Sequence, residues 1–305
     1  MTNTIAPPKQ QDPGPALGPS KKRKATPTRV FFARVLRSRT NAACLIFLGF
    51  LVVVAVGAPW IAPYDPNAQD LSNAFAPMFA EGHVLGTDQL GRDTLSRLIW
   101  ATQISMIAPL IAVSVAAVTG IPFGLLAGYI GGRFDWIAGR IADAFIALPA
   151  LILALAIIAI FGPGLVNAML AVGIAMAPAL FRVVRGATLA VREETYIDAS
   201  KIVGGSTARI LFAHVLPNVR SPLLVMLSIM LSLCLLAEAG LSFLGLGVQP
   251  PTASWGSMLR SAFDNRFLGP WMIVAPGVAT TLTILSLNML GDGIRDAVGA
   301  DRSRS

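Results

Sequence analysis

The chain has 305 residues, of which 54% are hydrophobic and 13% charged, with a mean hydropathy of +0.67 and a formal net charge of +8. Soluble domains carry about 25% charged residues, so this composition excludes an ordinary water-soluble protein and points to an all-α integral membrane protein. The positive charge needs no nucleic acid, because its placement along the chain follows a membrane rule set out below.

Residues 1–40 differ from everything after them. Pro7, Pro8, Pro13, Pro15, Pro19 and Pro27 break regular structure and "KKRK" at 21–24 concentrates charge, so the segment is expected to be a disordered basic arm near anionic headgroups. The basic region is too long for a secretory signal peptide and Pro59 follows the small-residue site near Ala58, so the first span is expected to stay attached. A nuclear-localisation reading of the basic run has no supporting context.

A spanning helix needs about 20 largely apolar residues, because hydrocarbon offers no partner for free backbone groups. Six stretches qualify: residues 41–61, 104–128, 141–161, 165–181, 221–247 and 271–290. Lys and Arg are retained on the cytoplasmic side. With the N-terminus inside, 20 of the 24 basic residues fall on that side, and only Arg92, Arg97, Arg260 and Arg266 fall outside. Both termini are therefore expected in the cytoplasm, residues 299–305 forming a short tail.

The first external segment, 62–103, contains "GTDQLGRD" from Gly86 to Asp93. Its glycines have the separation of a phosphate-binding loop, but Arg92 and Asp93 stand where Lys and Ser/Thr are needed. A carboxylate there repels phosphate, and the segment lies away from cytoplasmic ATP. Gly86, Asp88, Gly91, Arg92 and Asp93 are expected in a surface loop, the glycines serving turns and the charges pairing with neighbours or with a partner.

In the second span Gly120, Gly124 and Gly128 recur every four residues and line one helix face, with Pro122 between them. Two readings stand: close packing in the bundle, and a surface that slides during transport. Cys44 and Cys234 fall inside spans, where packing is the expected role, and His83 and His214 lie on opposite faces of the membrane and cannot share a metal. No fixed-period repeat is present.

The longest internal cytoplasmic segment, 185–219, contains "YIDASKIVGGSTARILFAHVLPNV" from Tyr196 to Val219. Asp198 stands near one helix start, Gly204 and Gly205 form a break, and the second helix is expected to stop before Pro217. Two short helices at an angle outside the membrane would present a docking surface.

The pattern Asp198-Ala199-Ser200, then Gly204, then His214-Val215-Leu216-Pro217 resembles the "EAA" coupling loop of importer-type ABC transporter permeases. "HVLGTDQLGRDTLSRL" (83–98), "GYIGGRFDWIAGRIAD" (128–143), "EAGLSFLGLGVQPPTASWGSML" (238–259) and "LNMLGDGIRDAV" (287–298) are similar to the peptide and nickel branch, in particular to the C-type permease of dipeptide and oligopeptide importers. The likeness covers about residues 40–298. It departs at Asp198 and Ser200, where the family usually has Glu and Ala.

The resemblance implies a six-span permease in a bacterial inner membrane, paired with a homologous partner permease, two ATP-binding subunits and an extracytoplasmic substrate-binding protein. It implies no catalysis and no cofactor in this chain, ATP and Mg²⁺ being held by the partner subunits. Asp198, Ala199, Ser200, Gly204 and Gly205 would form the coupling elbow, and His214, Leu216 and Pro217 would lead into the fifth span. Peptides are the expected cargo, with nickel and other small solutes behind them.

Glu238 is the deepest acidic residue, about 25 Å along its helix from Ser221. A pore-facing or gating carboxylate and a structural hydrogen bond both remain open for it. Asp143, Asn288 and Asp292 near span ends are expected to be interfacial or structural. An ion-coupled carrier would need a relay of such groups and matched interrupted helices, and a membrane-embedded enzyme would need a metal cluster, a nucleophile elbow or paired carboxylates. None of these patterns occurs in the sequence.

Overall fold

The computed structural model describes residues 38–302, so the expected arm lies outside the described residues except for 38–40, as do 303–305 of the expected tail. Among the described residues the only regular structure is helical: α1 (Arg39–Ile61), α2 (Thr94–Ile130), α3 (Gly132–Ile146), α4 (Ala150–Phe161), α5 (Leu165–Arg192), α6 (Thr195–Ile202), α7 (Thr207–Ile210), α8 (Leu216–Phe243), α9 (Trp255–Asp264) and α10 (Val274–Arg302). Among the described residues five helices are long and apolar enough to cross a membrane, and the bent pair α3 and α4 makes a sixth crossing if it counts as one span.

The axis of the bundle is the pair α2 and α5. Small residues recur on α2 at Ala108, Ala112, Ala116, Gly120, Gly124 and Gly128, all buried, so the stripe is twice as long as its glycines alone indicate. A Cβ at Gly120, Gly124 or Gly128 would stand 2.8, 2.9 or 2.8 Å from the carbonyl oxygens of Ala177, Phe181 and Arg185. Gly173 of α5 returns the relation, since a Cβ there would stand 2.6 Å from the Ala112 oxygen. With no aqueous driving force between helices in lipid, such approach and its dispersion energy hold the pair together.

Around this axis, α8 contributes Met230, Cys234 and Leu241 to the same apolar core. α10 packs along α8, and α1 packs on α2 and α10, where Gly293 of α10 sits directly against the Asn41 side chain. Cys44 and Cys234 are both buried thiols. The outward stripe of α1, including Ile46, Phe50, Val53 and Val56, is exposed in the isolated chain and requires hydrocarbon as its solvent.

Several expected boundaries move, each for a local reason. α2 starts at Thr94 rather than 104, because Asp93 caps it: the Asp93 carboxylate accepts from the Ser96 N–H at 2.7 Å. At 37 residues α2 is about 55 Å long, well beyond the roughly 30 Å of hydrocarbon. α5 runs to Arg192, so residues 185–192 belong to a helix and not to the coupling loop. α10 continues to Arg302, which makes 299–302 helical rather than a loose tail.

The expected third span, 141–161, is not one rod. α3 and α4 meet at 89° across Ala147–Pro149. Proline has no N–H to give the preceding turn and its ring disfavours helical geometry at Leu148, so the helix breaks there.

The expected stop before Pro217 is absent as well. Residues 207–243 run continuously as α7, a π-helical turn over Leu211–Val215, and α8. Pro217 therefore lies inside a continuous helix, just after the π turn, whose wider backbone accommodates its ring and missing donor.

Candidate coupling and docking sites

Two short helices project beyond α5 and α8 at one end of the bundle. α6 ends in a turn closed by three backbone bonds: Val203 N–H to Ala199 O at 3.1 Å, Gly204 N–H to Lys201 O at 3.0 Å and Gly205 N–H to Ser200 O at 2.9 Å. Gly204 has φ of +84°, a left-handed conformation that an L side chain adopts only with strain. Ser206 then caps α7, its hydroxyl accepting from the Arg209 N–H at 3.4 Å.

Anchoring and exposure are divided within this elbow. Ile197, Ile210, Leu211 and Val215 are buried in the main core and fix both helices to the bundle. Ile202, Val203 and Phe212 are 86%, 88% and 69% exposed at this end of the bundle, the first two between the candidate spans Leu165–Arg192 and Thr207–Phe243. Apolar side chains so placed suit a protein partner. Asp198 pairs with Lys201 of the same helix at 2.9 Å and both remain exposed. Ala199 is exposed and Ser200 half-buried. His214 is half-buried, tilted 57° to the Tyr196 ring with centroids 6.5 Å apart, and its carbonyl accepts from Asn218 Nδ2 at 2.7 Å. Leu216 packs on the core, while Pro217 is exposed.

The opposite end carries the Gly86–Asp93 loop, and there the charges are folded inward. Asp88 is buried: its Oδ1 accepts from the Leu90 and Arg92 N–H groups at 2.9 and 3.0 Å, and its Oδ2 from Arg92 Nε at 2.7 Å. Arg97 Nε lies 3.6 Å from the same Oδ2, and Arg97 Nη1 donates to Pro66 O at 2.9 Å. Asp93 is shared by His83 Nδ1 at 2.9 Å and Ser96 Oγ at 2.6 Å. Of the alternatives open for Arg92 and Asp93, pairing with neighbours is the one observed.

Both loop glycines have positive φ, +72° at Gly86 and +69° at Gly91, and lie against backbone of residues 70–77 that a Cβ would strike. The Thr87, Asp88, Leu90, Gly91 and Arg92 N–H groups are all used within the chain, so the loop has no row of free donors for a phosphate. Beside it Asp70 accepts from the Ser72 hydroxyl at 2.5 Å and Asn73 Nδ2 at 2.7 Å, which holds its carboxyl below the usual carboxylate range. A cleft of about 710 Å³ opens at this end, with Pro59, Tyr64, Arg97, Trp100 and Gln103 in its wall.

Glu238 lies near the same end, 1% exposed, in the joint between α8 and α9. Its Oε1 accepts from Ser242 Oγ at 2.7 Å, and the start of α9 is pressed so close that a Cβ on Gly256 would stand 2.6 Å from Ala239 O. The carboxylate is enclosed by this chain's own residues. Ser261 Oγ of α9 donates to Gln89 Oε1 at 2.7 Å and ties this joint to the charged loop. Deep on the other side of α8, Ser232 Oγ donates to Asn288 Oδ1 at 2.6 Å, a structural bond between α8 and α10.

Sequence reading missed two further ion pairs. Arg185 of α5 grips Asp135 of α3 through both carboxylate oxygens, and Arg182 reaches Asp143 at 2.5 Å. The alternation of Asp135, Arg140 and Asp143 along α3, opposite Arg182 and Arg185, was the available signal. The exposed Ile202, Val203 and Phe212 were also missed, although apolar residues flanking a glycine break in a polar segment were there to be read.

Comparison with known proteins gives the following. The family model described as "Binding-protein-dependent transport system inner membrane component" matches residues 120–304, and that described as "N-terminal TM domain of oligopeptide transport permease C" matches residues 26–78. The chain is 41% identical over 278 residues to a di/tripeptide transport system permease protein, DppC, of Pseudomonas aeruginosa, covering 90% of this chain and 92% of that one. It is 40% identical over 273 residues to the glutathione transport system permease protein GsiD of Pectobacterium atrosepticum, covering 90% and 91%. Among solved structures, an inward-facing crystal form of the MetNI methionine ABC transporter matches with a TM-score of 0.53 at 20% identity, over 67% of this chain and 96% of that one. That likeness bears on the fold alone.

Proposed function

The chain belongs to the binding-protein-dependent transport system inner membrane component family, and on that premise we propose that it is the permease subunit of an ATP-driven importer of dipeptides or oligopeptides. As a member it is a multi-pass inner-membrane transport subunit. The observation that carries the mechanism is the elbow of α6 and α7: an exposed apolar tip at one end of the bundle, fixed to the core by four buried side chains and running without interruption into α8.

In this reading separate ATPase subunits receive Ile202, Val203 and Phe212, with Gly204 holding the turn that presents them. ATP and Mg²⁺ are bound by those subunits, and hydrolysis occurs there. A second, homologous permease completes the translocation path, and an external binding protein delivers the cargo at the Gly86–Asp93 end. Both termini and the elbow lie in the cytoplasm, in accord with the distribution of Lys and Arg. The peptide cargo rests on the relatives, whose names specify di- and tripeptides and glutathione. Nickel is the second reading.

The test is uptake of labelled dipeptides and oligopeptides, with labelled nickel in parallel, in cells with and without this chain. Peptide uptake should vanish on deletion, return with the wild-type chain and fail to return with Gly204→Asp. Loss of nickel uptake alone would keep the architecture and overturn the cargo.

A further inference from the structure

α3 has two opposite faces with different chemistry. Asp135, Trp136, Arg140 and Asp143 line a cleft of about 480 Å³ against Arg182 and Arg185 of α5, whereas Phe134, Ile137, Ile141 and Phe145 line a groove of about 340 Å³ with Phe123 and Ile174. Along α5 the groove reaches from Ile174 to Phe181 and the cleft from Phe181 to Arg185, so the polar side faces the end bearing the elbow and the apolar side faces the bundle middle. The two meet at Phe181. Polar and apolar residues are thus divided between the two sides of α3, the division of an amphipathic helix at a membrane surface, and α3 turns 89° from α4.

The charges of the cleft do not cancel. Asp135 is taken by Arg185 and Asp143 by Arg182, while Arg140 forms no ion pair among the described residues and stacks on Trp136 with 5.8 Å from Cζ to the ring centroid. Trp136 is exposed beside it, as interfacial tryptophans are. We infer that α3 and α5 form a binding site for an anionic phospholipid, its phosphate at Arg140 in the cleft and an acyl chain under α3 in the groove. A protein partner would leave the Arg140 charge to be matched by an acid in a dry interface. A phosphate at the headgroup level matches it where water still reaches, and the adjoining groove offers only hydrocarbon surface. The inference rests on the membrane placement of the chain and is independent of its cargo.

The test is native mass spectrometry of the complex purified with the subunits that accompany this chain, titrated with phosphatidylglycerol and, separately, phosphatidylcholine. Phosphatidylglycerol should bind more tightly than phosphatidylcholine to the wild type. Arg140→Gln should weaken phosphatidylglycerol about fivefold, the effect of one basic side chain near a lipid surface, and leave phosphatidylcholine unchanged. Arg140→Lys should bind as wild type does, and Ile141→Trp, which fills the groove, should weaken both lipids. Equal binding of the two lipids, indifference to Arg140→Gln, or efficient cross-linking of Trp136→Cys to an accompanying subunit would each overturn the site.

Discussion

The two ends of the bundle solve opposite problems. At the Gly86–Asp93 end, charged side chains are buried and matched within the chain, Asp88 serving both Arg92 and Arg97. At the elbow, apolar side chains are exposed and their fixing points are buried. A buried, mutually satisfied cluster makes a rigid cap, because removing one member strands the others. An exposed apolar tip has the character of an unfinished interface, and under the proposed function its burial is deferred until a partner arrives. Stability should therefore depend on the first end and energy transfer on the second.

Substitutions can break or sharpen that division. Asp88→Ala strands two buried guanidinium groups and should cost about 3–5 kcal/mol, read as a large fall in melting temperature of the detergent-solubilised chain. An unchanged melting temperature would mean the cap is not rigid through this cluster. Gly124→Leu drives a side chain into the Phe181 carbonyl and Val184 and should cost about 1–3 kcal/mol. Should it slow transport with no loss of stability, the α2–α5 contact slides rather than packs.

Glu238→Gln keeps an acceptor for Ser242 in nearly the same volume and should shift stability by no more than about 1 kcal/mol. Its peptide uptake should retain the wild-type pH profile if the bond is structural; a changed profile would favour the gating reading. Ile202→Glu alters a largely exposed side chain and should move stability by no more than about 0.5 kcal/mol. Peptide-stimulated ATP hydrolysis in the assembled complex should nevertheless be lost. Retention of that stimulation would remove the tip from the coupling interface.

Helix existence was legible because spans depend on composition, which local sequence carries. Their ends were less so, since Asp93 extends α2 by a capping bond and α5 outlasts its apolar run through ion pairs made with α3. The break at Pro149 was visible as a proline but masked by the hydrophobicity on both sides of it. Pro217 reads in the sequence as a stop, but the π turn just before it accommodates the ring, and only the three-dimensional course of residues 207–243 shows the helix running through. Around Glu238, depth could be counted along the helix, but direction could not: which way the carboxylate points is decided by the close seating of Gly256 on α8.

The unbroken course from α7 into α8 has a mechanical meaning. Beyond the π turn, α8 extends 28 residues, a shaft of about 42 Å. Tilting such a shaft by about 10° at its root sweeps its far tip through about 7 Å, roughly the length of two extended residues. A small rotation imposed on the elbow would thus reappear, enlarged, at the opposite end of the bundle.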